Sequence, residues 1–150
     1  MNVDRFVVVA IFLTASRICS AQSSATDLAI AIAAPHKCVK PGSSMKVKIV
    51  LTNTSGHDVS YRVVATGRWS GWEGMSVRDW AGNLLPEKLG PFNGSVFSGK
   101  GSLGAANSIE KVVDVAKEYD LSKPGKYAIE VWALSGERDR PARVIVCVKK

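Results

Sequence analysis

Residue types that hydrolases and nucleotide-binding proteins use occur at two places in the chain. His57, Asp58 and Ser60 supply the types of a catalytic triad, but nearness in sequence does not set the geometry that a triad needs. Residues 94–101 imitate a phosphate-binding loop, yet its final position, which must be Ser or Thr, is Gly101. We therefore interpret 94–101 as a glycine-rich surface loop, and we expect a protein that is not an enzyme and holds no cofactor.

Both histidines and two of the cysteines supply residue types that could form a tetrahedral metal site. If residues 35–38 are extended, His36 and Cys38 point the same way, because side chains alternate along a strand. The spacing matches no known zinc motif, and oxidised cysteines cannot ligate a metal. We favour no metal here and leave the site as an alternative that depends on the redox state of the cysteines. The four candidate ligands are His36, Cys38, His57 and Cys147.

A cluster of aromatic residues provides the strongest candidate for a binding surface. Trp69 and Trp72 follow Arg68 closely, and Trp80 comes next along the chain. Exposed aromatic rings stack on sugars or on cations. The alternative is that Trp69 and Trp72 cover an open edge of the core. They lie in the segment 67–107, which has little regular period, and long loops on a rigid scaffold are the usual place for recognition.

The amino terminus has the order of a signal peptide. A short basic start is followed by an apolar run over residues 6–13 and by small residues that end at Ala21. The run is too short to cross a bilayer, which needs about 20 apolar residues. We expect cleavage after Ala21, export to the periplasm or outside the cell, and a single mature domain over residues 22–150 without a transmembrane segment.

The charge of the chain is basic, with 20 Lys and Arg against 13 Asp and Glu. Removal of Arg5, Arg17 and Asp4 with the signal peptide leaves 18 against 12, a net charge of +6. A basic surface favours acidic partners such as acidic glycans or cell-wall polymers. The basic residues are scattered and the chain is predicted to be exported, so we expect no nucleic-acid partner.

The dominant hydrophobic period is two, which indicates strands. Residues 45–53 alternate cleanly, and 28–33, 59–63, 75–79, 109–115, 127–131 and 143–148 are also predicted to be strands. Residues 83–85 are expected to return from 75–79 as a hairpin. Trp132 falls on the strand face opposite Tyr127 and Ile129. About seven or eight short strands separated by turn signals predict an all-β, antiparallel, immunoglobulin-like β-sandwich.

One segment sharpens this prediction. Residues 119–127 read YDLSKPGKY, in which Pro124 and Gly125 predict a tight turn because glycine accepts a positive φ. Tyr127 just after such a turn resembles the tyrosine corner of immunoglobulin-like sandwiches, whose hydroxyl bonds back to the upstream backbone. We interpret Pro124, Gly125 and Tyr127 as residues that specify the fold.

These motifs together resemble a recurrent immunoglobulin-like domain of exported bacterial proteins. Besides YDLSKPGKY, the resemblance rests on residues 53–55 and on 77–79 with 82–83, and it covers most of 28–148. It implies fold and export but no activity. In such sandwiches the first and last strands often pair, which implies a disulfide between Cys38 and Cys147.

Two functions follow as expectations. The first is a non-enzymatic module that binds a protein or a cell-envelope glycan. The second is a protease inhibitor that resembles the chagasin type, with three loops at one end of the sandwich. Residues 53–56, 99–101 and 140–141 fall in loosely similar places, but each departs from that family's motifs.

Overall fold

A computed structural model describes residues 27–65, 70–90, 94–134 and 141–150 of the chain. The predicted signal peptide, 1–21, lies outside the described residues. The strands are β1 (Leu28–Ala33), β2 (Cys38–Val39), β3 (Lys46–Asn53), β4 (Val59–Ala65), β5 (Ser70–Gly71), β6 (Glu73–Asp79), β7 (Phe97–Leu103), β8 (Ser108–Asp114), β9 (Gly125–Ala133) and β10 (Ala142–Val148). One helical turn, α1 (Val115–Glu118), follows β8.

The described strands form three sheets, so the chain is all-β as its period predicts. Their orders are β1-β3-β8, β2-β10-β9-β6 and β5-β4-β7. Neighbours are antiparallel except β2 and β10, which run parallel. The sheet β2-β10-β9-β6 is called the four-stranded sheet.

The core is built from alternate residues of the long strands. Val47, Ile49 and Leu51 of β3 are fully buried, while Lys46 and Lys48, which alternate with the first of them, are exposed. Ile129 and Val131 of β9 are likewise fully buried. Burying each such side chain contributes about 1.5–3 kcal/mol, so the period-two pattern is what holds the sheets together.

Residues 94–101, predicted to be a surface loop, are in part a strand. β7 begins at Phe97 and pairs with β4 over its whole length, from Val59 opposite Leu103 to Ala65 opposite Phe97. The prediction was wrong because the glycines of β7 remove the hydrophobic alternation, and the pairing with β4 supplies the order instead. The two-residue strands and α1 are too short for any periodic signal, and they were not predicted.

The hairpin expected after β6 is reduced to one bridge. Arg78 bridges Leu84, and the Leu85 amide donates to the Val77 carbonyl at 2.8 Å. The turn is sharp because Gly82 adopts a φ of 88°, a conformation that side chains with a Cβ rarely take.

The tyrosine motif forms the bond that its sequence predicts. The Tyr127 hydroxyl donates to the Lys123 carbonyl at 2.7 Å. Gly125, however, is not among the residues with positive φ; it begins β9 and pairs with Val148. The prediction of a positive φ at Gly125 was therefore wrong, since the turn is made without a left-handed residue there.

The disulfide between Cys38 and Cys147 is present, with a Cα–Cα distance of 4.4 Å. β2 places Cys38 directly opposite Cys147 of β10, and the Cys147 amide donates to the Lys37 carbonyl at 2.6 Å. The bond joins the two ends of the described chain across one sheet. No helix among the described residues is long and apolar enough to span a membrane.

Candidate binding surface

The structure buries one tryptophan of the predicted aromatic surface and exposes another. Trp72 is only 8% exposed and belongs to the core, so its assignment to a binding surface was wrong. Trp72 lies between β5 and β6, where the chain passes from one sheet to another. Trp80 is 67% exposed, while Arg68 and Trp69 lie outside the described residues.

The outer face of the four-stranded sheet presents a second tryptophan. Alternate residues of β9 point away from the core, and their register is fixed: Trp132 pairs with Gly74, Glu130 with Ser76 and Arg143, and Lys126 with Cys147. We call this surface the outer sheet face. The small residues Gly74 and Ala128 and the disulfide-bonded Cys147 lie on it, and its other described members are Ser76, Arg78, Trp80, Lys126, Glu130, Trp132, Arg143 and Ile145.

Glycine 74 lets the Trp132 ring lie flat on the neighbouring strand. A Cβ built on Gly74 would stand 2.3 Å from the Trp132 Cε2 atom, so any other residue would displace the ring. The side chain is partly exposed and is not part of the hydrophobic core cluster. One face of the indole thus covers the Gly74 backbone.

Trp80 is presented from a clamped turn at the other end of this face. The Asn83 amide and side chain donate to Asp79 at 2.8 and 3.0 Å, and the Asn83 side-chain bond in particular lowers the pKa of Asp79. The Lys126 ammonium lies 4.8 Å from the Trp80 ring centroid, a cation–π distance. The turn and the lysine together position an exposed indole.

Charges lie between the two tryptophans. Glu130 is shared by two guanidinium groups, at 3.7 Å from Arg78 Nε and 3.8 Å from Arg143 Nε. Arg78 also donates to the Gly82 carbonyl at 3.0 Å. One carboxylate against Arg78, Arg143 and Lys126 leaves the outer sheet face with a net charge of +2.

A second open surface lies on β4 and β7. A groove of about 490 Å³ is lined by Ser60, Tyr61, Arg62, Ser98, Gly99, Lys100 and Leu134. The Tyr61 ring covers Gly101, where a Cβ would come within 2.3 Å of it. Residues 99–101, taken above as an end loop of an inhibitor, lie inside β7, so that element of the inhibitor hypothesis was wrong.

A buried ion pair was not predicted. Glu73 is 2% exposed, and its carboxylate accepts from Lys111 Nζ at 2.7 Å and from the Trp72 amide at 3.0 Å. Lys111 also donates to the Ser70 carbonyl at 2.9 Å. The pair ties β8 to β6 and β5, which belong to three different sheets. Nothing in the sequence marks it, because the partners are far apart along the chain.

The candidate metal ligands are not available as a set. Cys38 and Cys147 are joined to each other, and His57 Nε2 lies 3.8 Å from an oxygen of Asp27. Among the described residues, no three His, Cys, Asp or Glu side chains are grouped so that they could hold a metal ion.

Comparison with known proteins gives no family. No protein-family model matches the chain, and no curated protein matches it. Solved structures that match the chain include the Pseudomonas fluorescens alkylpurine DNA glycosylase AlkC bound to DNA containing an abasic site analog, at 15% identity and a TM-score of 0.48. The match covers 83% of this chain and 31% of that one.

Another is a β-glucosidase, EmGH1, from Erythrobacter marinus, at 13% identity and a TM-score of 0.49, covering 81% of this chain and 15% of that one. This chain thus spans less than a third of either protein. Neither similarity is close enough to carry an argument about the chain.

Proposed function

We propose that this chain is an exported immunoglobulin-like β-sandwich that binds an acidic cell-envelope glycan through its outer sheet face. The observation that carries the proposal is the pair of indoles, Trp80 and Trp132, presented on one basic face of the four-stranded sheet. The binding module expected from the sequence is kept, but its binding surface is this face and not the one formed by Trp69 and Trp72.

Two features support the immunoglobulin-like sandwich. The Tyr127 hydroxyl bond to the Lys123 carbonyl has the form of a tyrosine corner. β2 and β10, near the two ends of the described chain, pair side by side. Export is supported by the signal-like order of residues 1–21 and by the disulfide, since disulfides persist in oxidising compartments.

The spacing of the indoles favours an extended ligand. Trp80 lies at the level of Lys126, and Trp132 is six residues further along β9, which corresponds to about 20 Å at the rise of a strand. A monosaccharide cannot reach both rings, whereas an extended polysaccharide can. Arg143, whose side chain is 56% exposed, would meet an acidic sugar carboxylate, whereas Arg78 is already engaged by Glu130 and by the Gly82 carbonyl.

The inhibitor alternative has no observation in its favour. Of its three loops, residues 99–101 lie within a strand, and Arg140 lies outside the described residues. Inhibition of a papain-like cysteine protease by the purified protein at a ratio near one to one would restore it.

Binding is tested with an oligogalacturonate and a neutral cello-oligosaccharide of equal length, by titration calorimetry and tryptophan fluorescence. We expect the acidic ligand to bind more tightly, and Trp80→Ala to weaken it about tenfold, as loss of a stacking contact implies. Phe97→Ala removes an equally exposed aromatic ring, 73% against 67%, from a different sheet, and should leave binding unchanged. Equal affinity of wild type and Trp80→Ala would refute the proposed surface.

Export is tested by the intact mass of the protein recovered from the cell envelope or the medium. We expect a chain that begins at Gln22 and is lighter than the reduced protein by the two hydrogen atoms lost in forming the Cys38–Cys147 bond. A mass that retains residues 1–21, or a protein found only in the cytoplasm, would refute export. That result would not decide glycan binding, which is measured separately on the same sample.

A further inference from the structure

β7 presents one free edge. Its seven residues pair with β4 on one side, and no strand of the described residues pairs with the other side. Phe97 is 73% exposed, and the four residues from Phe97 to Lys100 are all exposed. An open edge of this length is a template for an added strand, because its backbone donors and acceptors lack partners in the sheet.

The outward face of this edge carries two cations side by side. Lys100 stands directly opposite Arg62 in the β4–β7 register, so their side chains share one face. Neither makes an ion pair with a carboxylate of the described residues. Like charges in directly opposite positions destabilise a sheet. An acidic group beside Lys100 would remove that repulsion.

The other face of β7 offers space. A Cβ at Gly99 would meet nothing within 4 Å, whereas at Gly101 the Tyr61 ring already fills the space. Phe97 lies on the same face as Gly99, since the two are separated by one residue along the strand. A bulky apolar side chain placed opposite Gly99 would contact Phe97 and cover the glycine.

We propose that the free edge of β7 binds an extended segment of a partner protein as an added strand. The segment has an acidic residue opposite Lys100 and large apolar residues on either side of it. Backbone hydrogen bonds to β7 supply affinity, and the alternation of acidic and apolar side chains supplies specificity.

A second copy of the chain fits the same edge less well. Antiparallel self-pairing about the centre of β7 would place Lys100 against Lys100 of the other copy, and the chain already carries a net charge of +7. Charge complementarity therefore selects an acidic partner. This surface lies on a different sheet from Trp80 and Trp132, so the inference does not depend on glycan binding.

The test uses a synthetic peptide in which Glu alternates with Val and Phe. A second peptide has the same sequence with alternate backbone amides N-methylated along one edge. A third has the same composition with the glutamates grouped together. Affinities for the purified protein are measured by fluorescence anisotropy at two salt concentrations, with amide hydrogen exchange of residues 97–103.

We expect the alternating peptide to bind, to weaken with salt, and to slow exchange of the β7 amides. The double variant Arg62→Glu/Lys100→Glu should bind about tenfold more weakly or worse, as expected for reversed charges across an interface. Lys149→Glu/Lys150→Glu makes the same change in net charge at the carboxyl terminus and should bind normally, as should Trp80→Ala.

Three results would overturn the proposal. Equal binding of the N-methylated or grouped peptide would mean that charge alone attracts the ligand, as for an anionic glycan. Normal binding by Arg62→Glu/Lys100→Glu would place the peptide elsewhere. A dimer in solution that slows β7 exchange without peptide would assign the edge to a second copy.

Discussion

Replacing Lys111 by Met should lower the free energy of unfolding, because it leaves the buried Glu73 carboxylate without its cation. The variant keeps most of the side-chain volume and removes the ammonium group that lies 2.7 Å from Glu73 Oε1. Glu73 is 2% exposed, so its carboxylate would be left buried with one bond, from the Trp72 amide at 3.0 Å. Nothing among the described residues replaces the lost positive charge at that distance.

The expected loss is about 3 kcal/mol, at the low end of the range for breaking a buried pair, because the Lys111 side chain is itself 30% exposed. With a urea slope of about 2 kcal/mol/M, the unfolding midpoint falls by about 1.5 M. Tryptophan fluorescence follows the transition, and urea is used because guanidinium chloride would screen the pair.

Two further variants make the result interpretable. Lys48→Met removes a lysine from an exposed pair with Glu110, whose side chains are 45% and 62% exposed, and should cost less than about 1 kcal/mol. Glu73→Gln/Lys111→Met removes both charges and keeps an acceptor for the Trp72 amide, so it should recover most of the loss. The reasoning is refuted if Lys111→Met costs no more than Lys48→Met, or if the double variant is no more stable than the single one.

Three other perturbations follow from the structure. Cys38→Ser/Cys147→Ser opens a loop with a sequence separation of 109, and the chain-entropy model predicts that the free energy of unfolding in urea falls by about 4.7 kcal/mol. A fall below about 1 kcal/mol would contradict this expectation. Asn53→Ala removes a fully buried amide that donates to the His57 and Leu103 carbonyls at 2.7 and 2.8 Å, so we expect a loss of about 2 kcal/mol, against almost none for the exposed Asn83→Ala. Burial, followed by the charges of Glu87 and Glu118, raises the pKa of Tyr119 to about 12, so the folded state keeps a proton that the unfolded state loses near pH 10. Stability should therefore fall as the pH rises from 10 to 12, and Tyr119→Phe should make this fall smaller. Tyr127, whose pKa burial also raises, should keep part of the fall in that variant, and an unchanged profile would contradict the assignment.

Local patterns were sufficient for much of the fold. The alternation of β3 predicted both the strand and its buried face, and the turn before Tyr127 predicted the hydroxyl bond to Lys123. Both features depend on residues close together in the chain, which is why a period and a turn signal reveal them. The sequence did not predict β7, because glycines interrupt its hydrophobic alternation. Only its pairing with β4 defines it as a strand.

The candidate site depended on register between distant strands. From the sequence, Trp72 and Trp80 looked alike, and only the packing of the sheets buried one and exposed the other. Trp132 belongs to the outer sheet face because β9 pairs it with Gly74, a residue 58 positions earlier in the chain.

By itself, then, the sequence determined the all-β class, most long strands, their buried faces and the cysteines that could pair. The tertiary structure decided which tryptophan faces solvent, that β7 lies at the edge of its sheet and which carboxylate is buried with a lysine. The division has a physical reason: alternation and turns are set by neighbouring residues, whereas register and burial are set by pairing between strands far apart in the chain.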